Sequence, residues 1–114
     1  MPVKLVLDRD ATVACESCAV ADTPLTRLKG LLGRKELAAG EGLLLRPAAS
    51  VHTFFMRFPI DVVFLDRELR VLRVAANLRP WRAAARRGAR AVLELPAGES
   101  ERRDIRPGDQ LKAA

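Results

Sequence analysis

Three short apolar runs follow one another in the middle of the chain, and they constrain the fold more than any other feature. They cover residues 51–56, 60–66 and 70–78, and each is bounded by a proline or a charged turn. Such short connections leave no room for the crossover helix that joins parallel strands. The runs therefore predict an antiparallel meander rather than βαβ units.

Shorter apolar segments on either side predict further strands, at 3–7, 12–15, 40–47 and 91–98, with a last one after the turn in "IRPGDQLK". One helix is predicted, because leucines recur at three and four residues after Thr23 as N-cap and Pro24 as first helical residue, with Gly33 as its stop. The expected fold is mainly β, bordering on α+β: a small antiparallel β-barrel or sandwich with one short helix in the N-terminal half.

The composition fits a single domain spanning residues 1–114, since roughly 100 to 200 residues is the usual length. No run approaches the roughly 18 apolar residues of a membrane span, and the N-terminal stretch lacks a signal-peptide core. We therefore expect a cytoplasmic protein, monomeric or a small homo-oligomer. Its predicted partner is a small molecule or another protein, and no cofactor or metal is predicted.

The stretch "HTFFMRFPIDVVFLD" concentrates the polar groups of interest. If residues 51–56 and 60–66 form a hairpin that turns near Pro59, His52 and Asp61 share a face but stand on the order of 13 Å apart. A buried carboxylate needs a cation or several N–H donors. An arginine is the favoured partner for Asp61, with Arg27 and Arg82 as candidates, and the alternative is that Asp61 only braces the turn.

These considerations predict a ligand- or partner-binding module with a pocket near the hairpin of His52 and Asp61. Such pockets combine apolar walls with a few polar groups. The candidate lining residues are Arg27, His52, Phe54, Met56, Asp61, Trp81, Arg82 and Glu94.

Two other functions remain open at this stage. A hydrolase-type enzyme would use Asp61 and His52, with Glu94 as a further acid, but no nucleophile elbow, phosphate loop or HExxH motif is present. Cys15 and Cys18 form one CxxC pair, whereas a zinc site needs about four ligands. Two buried small side chains are the simpler interpretation of these cysteines.

The strongly basic charge, +6 with a pI near 10.3, raises nucleic-acid binding as a further alternative. Five arginines and Trp81 lie between Arg79 and Arg90. No RNP, KH or helix-turn-helix pattern accompanies them, and abundant arginine and alanine can equally reflect codon usage. The sequence alone therefore disfavours nucleic acid as a partner.

Several motifs in order resemble the DUF192 family of small proteins, over about residues 23–112. They are "TRLKGLLGR", "GEGLLLRP", "HTFFMRFPIDVVFLD", "AVLELPAG" and "IRPGDQL". The family pattern at the third motif reads Trp-Met-Lys-Asn-Thr before Pro-Leu-Asp, where this chain has Phe-Met-Arg-Phe before Pro-Ile-Asp, so the polar Asn-Thr pair is lost. The resemblance implies a mainly β barrel or sandwich with a small helical part, and no established reaction.

Overall fold

The computed structural model describes residues 2–114. Its elements are β1 (Val3–Leu7), β2 (Val13–Ala21), α1 (Pro24–Lys29), β3 (Glu41–Leu45), β4 (Ser50–His52), β5 (Ile60–Leu65), β6 (Val71–Leu78), β7 (Ala83–Ala85), β8 (Ala91–Pro96), α2 (Glu99–Arg102) and β9 (Leu111–Ala113). The mainly β prediction is confirmed. Within residues 2–114, no helix is long and apolar enough to cross a membrane.

Seven of the strands form one sheet in the order β6-β5-β8-β3-β2-β1-β9. The sheet curls into a half-barrel, because its two outer strands approach each other where β6 begins. An isolated bridge joins Arg70 to Gln110, and the Val71 amide donates to the Asp109 carbonyl at 2.8 Å. Strands β4 and β7 form a separate antiparallel ribbon.

The curled sheet buries apolar side chains on both faces. The first core contains Leu7, Val63 and Leu93, whereas the second, on the opposite face, contains Val62, Phe64 and Val92. Since side chains alternate along a strand, β5 and β8 contribute to both cores and read as continuous apolar runs. The ribbon of β4 and β7 packs on the side of the second core, to which it contributes Val51 and Ala84.

One pairing in the sheet departs from the antiparallel arrangement expected from the sequence. Strands β2 and β3 run parallel, with Cys18 opposite Gly42. Parallel neighbours need a crossover of a dozen residues or more, and residues 22–40 supply it. The chain leaves the sheet between these two adjacent strands, and the helix α1 lies in this crossover.

The helix α1 begins as predicted and ends earlier than predicted. Thr23 caps it, accepting a hydrogen bond from the Thr26 amide at 3.2 Å, and Pro24 follows at the first position. The helix ends before Gly30, whose φ of 49° is easy only for glycine, so the predicted stop at Gly33 is wrong. Leu25 remains 77% exposed, so the helix contributes little to the core.

Candidate functional site

The hairpin predicted between residues 51–56 and 60–66 does not form. Strand β4 pairs with β7, and His52 lies opposite Ala83, whereas β5 lies between β6 and β8 in the large sheet. The chain leaves strand geometry directly after β4, because Thr53 enters a turn and Phe55 has a φ of 67°. His52 and Asp61 are therefore in different sheets, and His52 is not among the groups that donate a hydrogen bond to Asp61.

Asp61 is fully buried and accepts four hydrogen bonds. The Asn77 amide donates to Oδ1 at 2.8 Å, and the Gly98 and Ser100 amides donate to Oδ2 at 3.1 and 2.9 Å. The Ser100 hydroxyl donates to the same Oδ2 at 2.6 Å. Peptide N–H groups and a hydroxyl thus supply the hydrogen bonds of this carboxylate. The prediction that an arginine is the partner of Asp61 is wrong.

The two arginines proposed as partners of Asp61 bind carbonyl groups elsewhere. Arg27 donates from Nη1 to the Pro47 carbonyl at 2.9 Å, and Arg82 donates from Nη1 to the Trp81 carbonyl at 3.4 Å. The donors that Asp61 does use lie at the start of α2 and at the end of β6. Asp61 therefore joins the helix α2 to the sheet and is not part of an open site.

Glu94 is the second carboxylate in this region, and its surroundings are different. It lies on β8 between Leu43 of β3 and Val62 of β5, on the face of the second core. The residue is 5% exposed, and its carboxylate accepts no hydrogen bond from residues 2–114, although its oxygen atoms keep some contact with solvent. Burial without a partner raises the pKa of Glu94 to about 7.

A cavity of about 110 Å³ opens in front of Glu94. Its apolar walls include Leu31, Leu45, Val51 and Met56, and its polar lining includes Arg27, Lys29, Ser50 and His52. A cavity of this volume accommodates several water molecules or a small ligand group. The site therefore combines one buried carboxyl group with a basic rim, and we refer to it as the Glu94 cavity.

An aromatic cluster continues from the Glu94 cavity to the surface. The rings of His52 and Phe54 stack with centroids 4.8 Å apart, and Phe54 and Trp81 stack at 5.9 Å. The His52 Nδ1 atom accepts a hydrogen bond from the Phe54 amide at 3.3 Å, which fixes the imidazole orientation. His52 is exposed and so lies at the boundary between the cavity and this cluster.

The structure brings together some of the eight residues predicted for the site and separates others. Four of them line the Glu94 cavity: Arg27, His52, Met56 and Glu94. Phe54 and Trp81 belong to the adjoining aromatic cluster, and Arg82 is exposed beside Trp81. Asp61 lies apart, because it and Glu94 occupy neighbouring positions on adjacent strands and so point to opposite faces of the sheet.

Thr53 was not predicted, although it holds the local structure together. It is fully buried; its hydroxyl donates to the Arg79 carbonyl at 2.5 Å and accepts from the Arg82 amide at 2.9 Å. Its own amide donates to the Arg82 carbonyl at 2.8 Å. The only signal in the sequence is a polar β-branched residue between His52 and an aromatic pair, which does not distinguish a buried threonine from an exposed one.

The two cysteines are packed inside the protein. Cys15 and Cys18 are fully buried in the first core, and the Cys15 thiol donates to the Gly40 carbonyl at 3.6 Å. In the described part of the chain, residues 2–114, no group of three or more metal-binding side chains lies together. The CxxC pair therefore has no further ligands beside it.

Comparison with known proteins agrees with this architecture. Residues 5–113 match the model of DUF192, described as "Uncharacterized ACR". The chain belongs to the DUF192 family. A UPF0127 protein of Pyrococcus horikoshii is 39% identical over 99 residues, which are 82% of this chain and 84% of that protein.

Solved structures resemble the DUF192 chain over almost its whole length. The crystal structure of a protein of unknown function from Novosphingobium aromaticivorans has a TM-score of 0.84 at 29% identity, covering 98% of this chain and 84% of that one. A protein from Sinorhizobium meliloti also has a TM-score of 0.84, at 24% identity, with 97% and 91% of the two chains covered. The second likeness concerns the fold alone.

Proposed function

We propose that this DUF192 protein is a small-molecule-binding module. Its ligand would occupy the Glu94 cavity and place an ammonium or other N–H donor against the Glu94 carboxylate. The observation that carries this proposal is a carboxylate on the core face of a central strand, 5% exposed, without a hydrogen-bond partner among residues 2–114. A ligand donor would supply the partner that the protein lacks.

The energetic cost of this arrangement favours a functional explanation. Raising the pKa of Glu94 from 4.5 to about 7 corresponds to a penalty on the order of 3 kcal/mol against the charged form. The carboxylate is not required for packing, because an apolar side chain would fill the same position without the penalty against the charged form. Buried carboxyl groups with a raised pKa that face a cavity are typical of binding and catalytic sites.

The rim of the cavity indicates the chemistry of the other end of the ligand. Arg27 uses Nη1 and Nε for the Pro47 and Thr23 carbonyls, which leaves its Nη2 group without an acceptor in the described chain. Lys29 and His52 line the same cavity. A carboxylate or another strong acceptor fits this rim. The class of ligand proposed is therefore a small zwitterion, with its ammonium group inside and its acid group outside.

Thermal unfolding in the presence of the standard amino acids and small ω-amino acids, one at a time, tests the proposal. A ligand present at 100 times its Kd stabilises the folded state by about 2.7 kcal/mol, which corresponds to a rise in melting temperature on the order of 10 °C. Glu94→Gln removes the charge with little change in shape and should weaken binding at least tenfold. Exposed Glu68 provides the matched control, Glu68→Gln, which should bind as the wild type does.

The pH dependence gives a second, independent check. An ammonium group binds the ionised form of Glu94, so affinity should fall about tenfold for each pH unit below about 7. Glu94→Gln should abolish that dependence. A panel in which no compound raises the melting temperature, or a ligand that binds Glu94→Gln as tightly as the wild type, would contradict the proposal.

A further inference from the structure

Three large aromatic side chains lie exposed beside one another next to the ribbon of β4 and β7. Phe54 is 40% exposed, Phe55 71% and Trp81 55%. The Phe55 and Trp81 rings are 4.6 Å apart at an angle of 59°, and Phe54 stacks on Trp81. Side chains of this size are normally among the best candidates for burial, so a cluster that stays in solvent indicates an interaction surface.

The backbone is constrained so as to present two of these rings. Phe55 and Trp81 have φ angles of 67° and 65°, a left-handed conformation that is strained for bulky side chains. Thr53 holds both turns in place, because its carbonyl accepts from the Trp81 amide at 3.0 Å and from the Met56 amide at 3.2 Å. The strain is thus imposed by buried contacts, and it directs both rings outward.

The two chain segments that contain these aromatic residues are rich in arginine and carry no acidic side chain, and Asp22 and Asp66 lie beside two of their arginines, Arg46 and Arg90. Residues 42–60 and 69–93 contain no aspartate or glutamate and carry nine arginines. These arginines are Arg46, Arg57, Arg70, Arg73, Arg79, Arg82, Arg86, Arg87 and Arg90, and all are exposed. Within residues 2–114, none of the nine forms an ion pair.

We propose that a single-stranded nucleic acid docks on this surface, with bases stacked on Phe55 and Trp81 and phosphates bound by the neighbouring arginines. Exposed aromatic rings next to unpaired cations match a strand whose bases are free to stack, whereas the bases of a duplex are already stacked on one another. Arg79 and Arg82 flank Trp81 in the chain, and Arg86 and Arg87 follow β7, about 10 Å further along the ribbon. The proposal is independent of the Glu94 cavity.

Trp81 is the single tryptophan of the chain, so it reports on its own contacts. Titration with U12 RNA and dT12 DNA at low salt should quench its fluorescence. The logarithm of the binding constant should then fall linearly with the logarithm of the salt concentration, by about 0.7 for each phosphate contact. A duplex of the same length should bind more weakly and leave the tryptophan signal unchanged.

Phe55→Gly is the informative variant, because glycine adopts a φ of 67° without strain and the fold is therefore preserved. Binding of U12, followed by anisotropy of a labelled oligonucleotide, should weaken roughly 5- to 100-fold, the range for loss of one base stack. Leu25→Ala, at an exposed apolar residue on α1, is the matched control and should bind normally.

The arginine contribution has its own pair of variants. Arg82→Gln should reduce the salt slope by about 0.7, whereas Arg67→Gln, outside the two acid-free segments, should not change it. Glu94→Gln should bind U12 as the wild type does, which separates this proposal from that for the cavity.

In the oligonucleotide titrations, two results would overturn the proposal. One is the absence of U12 and dT12 binding at low salt. The other is binding that heparin or duplex DNA matches in strength and that Phe55→Gly leaves unchanged, because charge alone would then account for it. Tighter binding of a glutamate-rich peptide than of U12 would also contradict it, and would identify an acidic protein as the partner.

Discussion

Asp61 and Glu94 are both buried carboxylates on adjacent strands, and their surroundings are opposite. Asp61 lies on β5 opposite Leu95, and Glu94 lies on β8 opposite Val62, so the two side chains point to different faces of the same sheet. Asp61 accepts hydrogen bonds from three amides and one hydroxyl. Glu94 accepts none from residues 2–114 and faces a cavity.

The backbone around Asp61 is arranged so that its N–H groups point at the carboxylate. Two of the amides that bind Asp61 belong to residues with left-handed backbone, Asn77 at φ 53° and Gly98 at φ 94°. Both residue types tolerate that conformation better than most, so their positions suit the task of presenting N–H groups to the carboxylate. Nothing comparable surrounds Glu94. The hydrogen bonds to Asp61 indicate a structural role for that residue, whereas the cavity in front of Glu94 is the observation that supports its proposed role in binding.

The largest expected effect is that of Asp61→Asn on stability. The substitution removes the charged acceptor and places an amide group next to the N–H donors of Gly98 and Ser100. Each hydrogen bond to a charged group contributes roughly 1.5–3 kcal/mol to the free energy of unfolding. We expect a loss on the order of 3–5 kcal/mol in the free energy of unfolding, measured by urea denaturation. Asp22→Asn at an exposed position is the control and should change it by less than about 0.5 kcal/mol. A small effect at Asp61 would remove the distinction between the two carboxylates.

The second prediction concerns Glu94→Gln, which should have the opposite effect on stability to Asp61→Asn at pH 8. The folded-state pKa of Glu94 is raised from 4.5 to about 7, so the folded protein holds a proton that the unfolded chain releases between these values. The contribution of Glu94 to stability should therefore be largest below pH 4.5 and should fall by on the order of 3 kcal/mol as pH rises through 7. Glu94→Gln should lack this contribution, so it should be as stable as the wild type or more stable at pH 8.

Urea denaturation of Glu94→Gln and the wild type at pH 5 and pH 8 measures this difference. Glu68→Gln serves as the control for an exposed glutamate. If Glu94→Gln is clearly less stable than the wild type at pH 8, the carboxylate has a stabilising partner and resembles Asp61 after all.

Much of the sheet could be predicted from the sequence, because its strands are apolar and bounded by turn residues. The runs that became β5, β6 and β8 carry this pattern, and the antiparallel pairing of β5 with β6 follows from the short connection between them. The pairing of β5 with β8 joins residues about 30 positions apart, and no local pattern specifies it. Sequence proximity therefore led to a false hairpin with residues 51–56.

The ribbon of β4 and β7 was even harder to predict from the sequence pattern. Strand β7 consists of three alanines, a residue depleted in strands, and the sequence predicts no strand between Arg79 and Arg90. For the site, general physics predicted that Asp61 needs partners, but the donors are mostly peptide N–H groups, which every residue except proline carries. Glu94 could be proposed as a candidate because it is the single charge in an apolar strand, whereas its lack of a partner became visible only in the structure.

The smallest expected effect is that of Ser100→Ala, which removes one of the four donors to Asp61. The hydroxyl lies 2.6 Å from Oδ2, and the residue is buried at the start of α2. Because three amides remain, we expect a loss of about 1.5 kcal/mol in the free energy of unfolding, within the range for one bond to a charged acceptor. In the Asp61→Asn background the same substitution should cost less, because the acceptor has lost its charge. In the Glu94→Gln background it should cost the full amount, since the two carboxylates lie on opposite faces of the sheet and share no hydrogen-bond donor. An equal cost in all three backgrounds would mean that Ser100 acts through packing, and that peptide amides alone hold the Asp61 carboxylate.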